Sequence, residues 1–302
     1  MAFLNPTSFF SSTSKKLSDF LSFSIILRKF TTEIFNSKKQ MNSHKPKQWL
    51  RPQTAAKAVP FLLLLTLLLG AFDSATPVIY IIGDSTAANK DTTEGRIERG
   101  WGMCLHEYLD DGVRVEDHAV NGRSSRSFYA EGRWQKVIDK VKPGDYVIIQ
   151  FGHNDEKPAP DRHTDVGTTF DAHLAQYVIE TKAKGATPVL MSPVVRRNFQ
   201  GDTLVDTHGA YRLVAEKVAR EYGAVYVDAN AITHDIEQRL GPDGSIRLHM
   251  WVEPSKYSWA KKGRKDNTHY NIYGAHVVAA ALAKALGDAV PALKSHVRKI
   301  KE

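Results

Sequence analysis

Val78-Ile79-Tyr80-Ile81-Ile82 runs without a break into Gly83-Asp84-Ser85. Five consecutive apolar, mostly β-branched residues leave neither face of a strand polar. Such a strand belongs in a parallel sheet that is covered on both sides. Glycine permits a sharp turn at its carboxyl end. Ser85 is thereby delivered to the edge where open α/β sheets place their ligands. Taken alone, Gly-Asp-Ser is a turn with a capping serine, and only the rest of the chain raises it above that.

Strand and helix patterns alternate after Ala75. Helical spacing predicts helices over Arg99 to Leu109, Trp134 to Val141, Phe170 to Lys184, His208 to Tyr222, Ala229 to Leu240 and Ile272 to Leu286. Strands are predicted over Val113 to Ala119, Asp145 to Phe151, Thr187 to Met191 and Ala224 to Val227, besides the first. Five strands alternating with helices, with no hairpin signal between them, imply an α/β fold: a five-stranded parallel sheet with helices on both faces. No repeat interrupts it.

The leader has a different character. Ten of the 41 basic and three of the 33 acidic residues lie at or before Ala75, which leaves 31 against 30, a net of +1. The overall charge of +8 therefore gives no support to a nucleic-acid partner. Lys45, Lys47, Arg51 and Lys57 precede a leucine-rich run from Val59 to Phe72, and Ser74 and Ala75 follow. A basic flank, a short apolar stretch and a small-residue exit make a secretory signal peptide over residues 41–75. Cleavage after Ala75 and cleavage after Ala71 both fit. The run is short for a bilayer span, so no stable membrane insertion is expected once it is removed. Residues 1–40 are rich in Ser, Thr, Phe and Lys and read as a disordered upstream extension, with Met41 preferred to Met1 as the start. Export to the periplasm or the cell exterior follows. Residues 76–302 form the folded domain, large enough for one well-buried core.

Three predicted strand exits carry chemistry-bearing residues: Gly83-Asp84-Ser85, Asn121-Gly122-Arg123-Ser124 and Gly152-His153-Asn154-Asp155. In a parallel sheet all three lie on one edge. Asp266-Asn267-Thr268-His269 sits just before the last helix, and on a helical turn Asp and His three apart face the same way. A serine hydroxyl needs a base to become a nucleophile. His269 can be that base and Asp266 can orient it. The N–H groups of Ser85 and Gly122 and the side-chain amide of Asn154 can stabilise an oxyanion. Singly these pieces are caps, turns and polar loops; together they describe serine acyl transfer. Cys104 is the only cysteine, so no intramolecular disulfide or cysteine-based metal site exists. The twelve histidines show no His-Glu-x-x-His spacing. Gly-x-Ser-x-Gly is absent, so the ordinary α/β-hydrolase elbow does not apply. Neither metal nor cofactor is expected.

These blocks resemble those of the SGNH (GDSL-like) hydrolases, with Gly83-Asp84-Ser85 as the first, Gly122 as the second, Gly152-x-Asn154-Asp155 as the third and Asp266-x-x-His269 as the fifth. Thr86 stands where the fuller first block has leucine. With Pro193-Val194-Val195-Arg196-Arg197 added, the set looks like the rhamnogalacturonan acetylesterase branch. The resemblance implies a three-layer, flavodoxin-like fold and Ser85, Asp266 and His269 as triad. It also implies Ser85, Gly122 and Asn154 as oxyanion hole, and an acetylated pectic polysaccharide as substrate. Acetylated xylan or other glycans, lipid or aryl esters, and non-catalytic glycan binding are the alternatives. Aromatic and basic residues suited to sugar rings and galacturonate carboxylates are His153, Arg196, Arg197, Trp251, Tyr257, Trp259 and Arg264. They are the expected substrate contacts.

Overall fold

The computed structural model describes residues 76–299. The extension and signal peptide expected over residues 1–75 lie outside them. Among the described residues no helix is long and apolar enough to cross a membrane.

In chain order the elements are β1 (Val78–Gly83), β2 (Glu98–Arg99), α1 (Trp101–Leu105), β3 (Arg114–Asp117), α2 (Ser125–Ala130), α3 (Arg133–Ile138) and β4 (Tyr146–Gln150). There follow α4 (Thr169–Ala183), β5 (Thr187–Met191), β6 (Phe199–Gln200), β7 (Thr203–Leu204), α5 (Tyr211–Tyr222) and β8 (Val225–Val227). The chain continues through α6 (Ala229–Gly244), β9 (His249–Val252), β10 (Arg264–Asn271) and α7 (Ile272–Ala289).

The main sheet is parallel, five-stranded and ordered β3-β1-β4-β5-β8. Residues alternate across it as the pleat requires. Ile79 and Ile81 of β1 enter one core with Trp101, Val189, Met191 and the Ala275, Val278, Ala279, Leu282, Leu286 stripe of α7. Val78, Tyr80 and Ile82 enter the other, with Phe128, Trp134, Leu174, Tyr177, Val214 and Val218 from α2 to α5. The continuous apolar character of β1 thus has a direct cause: both of its faces are buried. β1 lies between β3 and β4, so the chain's direction of progress across the sheet reverses there. Crevices open at the carboxyl ends of strands at such a switch point, and Ser85 stands at this one.

Three parts of the chain differ from the sequence expectation. The segment predicted as one helix from Arg99 splits into β2, α1 and a 3-10 turn, His106–Tyr108. Helix α2 was hidden in a polar stretch. Its Ser124 side chain accepts from Ser127 N (3.1 Å) while Ser127 Oγ accepts from Ser124 N (2.9 Å), a reciprocal cap without any apolar pattern. A second, antiparallel sheet, β2-β10-β9, is also present, although no hairpin signal preceded it. Its central strand reads Arg-Lys-Asp-Asn-Thr-His-Tyr-Asn, which lacks the period-two apolar signal that marks a strand.

At the end of β3, Asp117 accepts from Ala119 N (2.9 Å) with one oxygen, and its other oxygen is shut from solvent without a partner among the described residues. Burial pushes its carboxyl up to about 7, against the pull of the Ala119 N–H and Lys90. The folded chain therefore holds a proton that the unfolded chain has released between about pH 3.8 and about 7. Stability falls as pH rises through that window, because above it a poorly solvated charge is buried. Asp117→Asn should raise the melting temperature by a few degrees at pH 8 and have little effect at pH 4.5. Thermal unfolding of both proteins at the two pH values checks this; equal gains at both would contradict it.

Candidate active site

β1 ends at Gly83, and the chain turns over Asp84. The Asp84 carbonyl accepts from Ala87 N (3.3 Å) and Ala88 N (3.1 Å), closing one helical turn that lifts Ser85 above the sheet. The buried Asp84 carboxylate accepts from Thr86 N (2.9 Å) and Thr86 Oγ1 (2.8 Å). Thr86 thus fills a polar role that leucine could not. Burial pushes the Asp84 carboxyl upward, and its second oxygen has no partner among the described residues.

Ser85 Oγ donates to His269 Nε2 (2.8 Å), and His269 Nδ1 donates to Asp266 Oδ2 (2.8 Å). Serine comes from the parallel sheet; histidine and aspartate come from β10 in the antiparallel one. Asp266 and His269 are therefore not on a helical turn, and the sequence expectation is corrected. In a regular strand residues three apart point to opposite faces. Here the register of β10 slips between Asp266 and Tyr270, which pair with the consecutive residues Met250 and His249. Within the bulge, Asp266 Oδ1 accepts from Thr268 N (2.8 Å) and His269 N (3.0 Å). The carboxylate folds the chain back on itself and brings its own partner into reach. Burial opposes the charge on Asp266, but the hydrogen bonds from the His269 ring, the His269 main chain and Thr268 outweigh it and hold the carboxyl well below the usual carboxylate range.

Arg264 is a fourth donor to that carboxylate. Its Nη2 lies 2.6 Å from Asp266 Oδ2 and its Nη1 lies 2.5 Å from Glu98 Oε2. Glu98 also pairs with Lys90 (3.0 Å), and Lys90 Nζ donates to Asn121 Oδ1 (2.6 Å). A continuous chain of charge-assisted contacts thus links Asp266 to the residue before Gly122. Lys90 and Glu98 escaped the sequence reading, since an isolated charge in a polar segment has no pattern to mark it.

The β3 and β4 exits flank the β1 exit. Gly122 has φ +76, a conformation that favours glycine, and a Cβ there would meet nothing nearer than Arg162 Nη1 at 3.9 Å. Neither the Gly122 N–H nor the Ser85 N–H has an acceptor among the described residues. Asn154 Nδ2 donates to Arg123 O (3.1 Å), which leaves one amide N–H uncommitted among the described residues. Asp155 ties the two flanking loops together. It accepts from Ser125 N (3.0 Å) and Ser125 Oγ (2.5 Å) on one side and from Gly152 N (3.1 Å) on the other. Gly122 and Asn154 thus lie in the loops that leave β3 and β4 on the sheet edge that carries Ser85.

The expected substrate contacts scatter. His153 is buried, edge-on to His208 at 4.5 Å, with both ring nitrogens unpartnered among the described residues; burial holds its imidazole well below its ordinary value. It is closed to a polymeric substrate. Arg196 pairs with Glu156 and donates to Thr207 Oγ1 (3.1 Å). Arg197 donates to Asn267 Oδ1 (3.2 Å) and to Pro242 O and lies 5.1 Å from the Trp251 ring centre. Trp251 donates to the same Asn267 oxygen (2.8 Å). Tyr257 and Trp259 stack on each other at 5.0 Å. Arg264, expected at substrate, faces Asp266 and Glu98 instead.

The family model described as GDSL-like lipase/acylhydrolase matches residues 81–277. The chain belongs to that family and is an ester hydrolase. It is 34% identical to the rhamnogalacturonan acetylesterase RhgT of Bacillus subtilis, over 72% of this chain and 93% of that one. It is 32% identical to the rhamnogalacturonan acetylesterase of Emericella nidulans, over 69% of this chain and 84% of that one. Among solved structures, the Bacillus subtilis protein YxiM superposes with a TM-score of 0.61 at 26% identity, covering 71% of this chain and 57% of that one.

Proposed function

We propose that this ester hydrolase removes O-acetyl groups from pectic rhamnogalacturonan through an acyl-enzyme formed on Ser85. The observation that carries the reading is the unbroken hydrogen-bond chain from Ser85 Oγ through His269 to Asp266 at the mouth of the sheet. The similarity to acetylesterases named for rhamnogalacturonan supports the substrate. Ser85 Oγ attacks the acetyl carbonyl carbon while His269 Nε2 takes its proton. The oxyanion receives hydrogen bonds from the Ser85 and Gly122 N–H groups and the Asn154 amide. On collapse the ester C–O bond breaks and His269 returns the proton to the departing sugar oxygen. Water then repeats the sequence on the acyl-serine, which releases acetate and restores Ser85. Asp266 stays ionised throughout and keeps the ring's Nδ1 protonated, so that Nε2 faces serine as an acceptor.

Acetate release from acetylated rhamnogalacturonan, homogalacturonan and xylan tests the reading. The rhamnogalacturonan rate should exceed the others severalfold; a preference for xylan would overturn the substrate, and absence of turnover on any acetate ester would overturn the chemistry. Export through the signal peptide of residues 41–75 belongs to the same reading. It is checked by N-terminal sequencing of the protein recovered from the culture medium, which should begin after Ala71 or Ala75.

A further inference from the structure

Asn154 is buried at the exit of β4, and both ends of its side-chain amide are engaged. Nδ2 gives one hydrogen to Arg123 O, and Oδ1 accepts from Lys157 Nζ at 3.1 Å. Lys157 reaches back through its main chain as well, its N–H donating to Asn154 O at 3.3 Å. The loop that carries Lys157 is pinned at its far end, where Thr164 donates to Asp155 from N (to O, 3.1 Å) and from Oγ1 (to Oδ1, 2.9 Å). Lys157 itself is exposed, and the acidic residues nearest it in the chain are engaged elsewhere. Glu156 pairs with Arg196 and His208, Asp161 with Arg162, and Asp165 lies 3.2 Å from His163 Nε2. Among the described residues no carboxylate pairs with Lys157. The other flanking loop differs: Lys90 also donates to an asparagine oxygen, that of Asn121, but Glu98 neutralises it.

Holding the head of an exposed lysine costs rotamer freedom, and water would solvate the ammonium as well. Stability therefore gives little reason for the contact, and its consequence falls on Asn154. An ammonium bonded to the amide oxygen draws electron density through the conjugated O–C–N group, which makes the N–H groups at the other end stronger donors. It also decides which end is which: a flipped amide would set NH₂ against the ammonium and oxygen against the Arg123 carbonyl. A cation without a counter-charge behind such a donor favours an anion in front of it. We infer that Lys157 is a positioning residue of the proposed oxyanion hole, which locks the Asn154 amide and strengthens its uncommitted N–H toward the tetrahedral oxyanion. The inference rests on the acyl-enzyme reading above and is independent of which glycan carries the acetyl group. Because the ester carbonyl bears little charge before attack, the gain belongs to the transition state and not to substrate binding.

The test is a double-mutant cycle on nitrophenyl acetate, a small neutral ester that offers no anionic polymer for a lysine to bind. Wild type, Lys157→Met, Asn154→Ala and the double variant are compared in kcat and KM. Acylation and deacylation both pass through the oxyanion, so kcat reports on the hole whichever step is slower. Lys157→Met should lower kcat roughly tenfold, the contribution of one charge-assisted hydrogen bond, and leave KM within about twofold. Its melting temperature should match the wild type, because the side chain is exposed and methionine keeps most of the stem. Asn154→Ala should lower kcat about 10²- to 10³-fold. In that background Lys157→Met should cost less than about twofold, since the lysine has no amide left to act through. The same tenfold loss in both backgrounds overturns the inference; so does a loss confined to KM, and so does wild-type kcat in Lys157→Met. Wild-type kcat in Asn154→Ala overturns the oxyanion-hole assignment beneath it, and absence of hydrolysis by the wild type overturns the esterase reading. If Asn154→Ala loses its cooperative melting transition, Asn154→Ser closes the cycle with the same expected coupling.

Discussion

Ser85→Ala should reduce acetate release by about four to six orders of magnitude while leaving the folded protein intact. The hydroxyl is the group hydrogen-bonded to His269 Nε2 and so the one placed to form the covalent bond. It is removed from a half-exposed turn and not from either core. The turn does not depend on it, because Asp84, Thr86, Ala87 and Ala88 carry its hydrogen bonds. On the proposed oxyanion hole, residual hydrolysis above the water rate should survive, since the N–H groups of residue 85 and Gly122 would remain to polarise a bound ester. Single-turnover acetate release and circular dichroism check the two halves of the expectation. Wild-type turnover in the variant would remove Ser85 from the mechanism and the acyl-enzyme with it.

Asp266→Asn should cost about 10⁴-fold in kcat, and the neighbourhood of Asp266 says why no orientation of the amide is tolerated. Four donors converge on the carboxylate: the Thr268 and His269 N–H groups on Oδ1, the His269 ring and Arg264 on Oδ2. If the amide oxygen stays toward the main chain, the NH₂ group faces His269 Nδ1 and the Arg264 guanidinium. The ring must then accept at Nδ1, so it carries its proton on Nε2, where it can no longer take one from serine. If the amide flips, its NH₂ group opposes two main-chain N–H groups and the bulge that holds His269 loosens. Stability should change modestly, because Arg264 keeps its contact with Glu98. A rate loss below about tenfold would show that the ring is oriented by something other than Asp266.

Much of this was legible from residue types in order. β1, β4 and β5 announce themselves because strands buried on both faces must be apolar throughout, and β5 occupies the predicted span, Thr187–Met191. The loops that follow β1, β3 and β4 share an edge because parallel strands all end on the same side. From that rule alone, Ser85, Gly122 and Asn154 belong together. α7 was readable from its Ala-Val-Leu stripe, since a helix that covers a sheet needs one continuous apolar face.

The local chain could not reveal how Asp266 and His269 reach Ser85. β10 is polar, and it is a strand because β2 and β9 pair with it. Pairing satisfies backbone groups whatever the side chains are. Its bulge reverses the facing that a regular strand would impose, and it depends on side-chain-to-main-chain bonds visible only in three dimensions. The basic run before Asp266 shows the same division. Composition identified charge and aromatic rings. Only the tertiary structure decided that Arg264 serves the triad carboxylate, that Arg197 and Trp251 serve Asn267, and that Trp259 meets Arg96 from a segment 163 residues away. The sequence by itself determined which elements must be buried and which chemistry the chain carries, because apolar period and residue type are local properties. The tertiary structure alone decided which charge answers which, because that depends on distance and burial between segments remote in the chain.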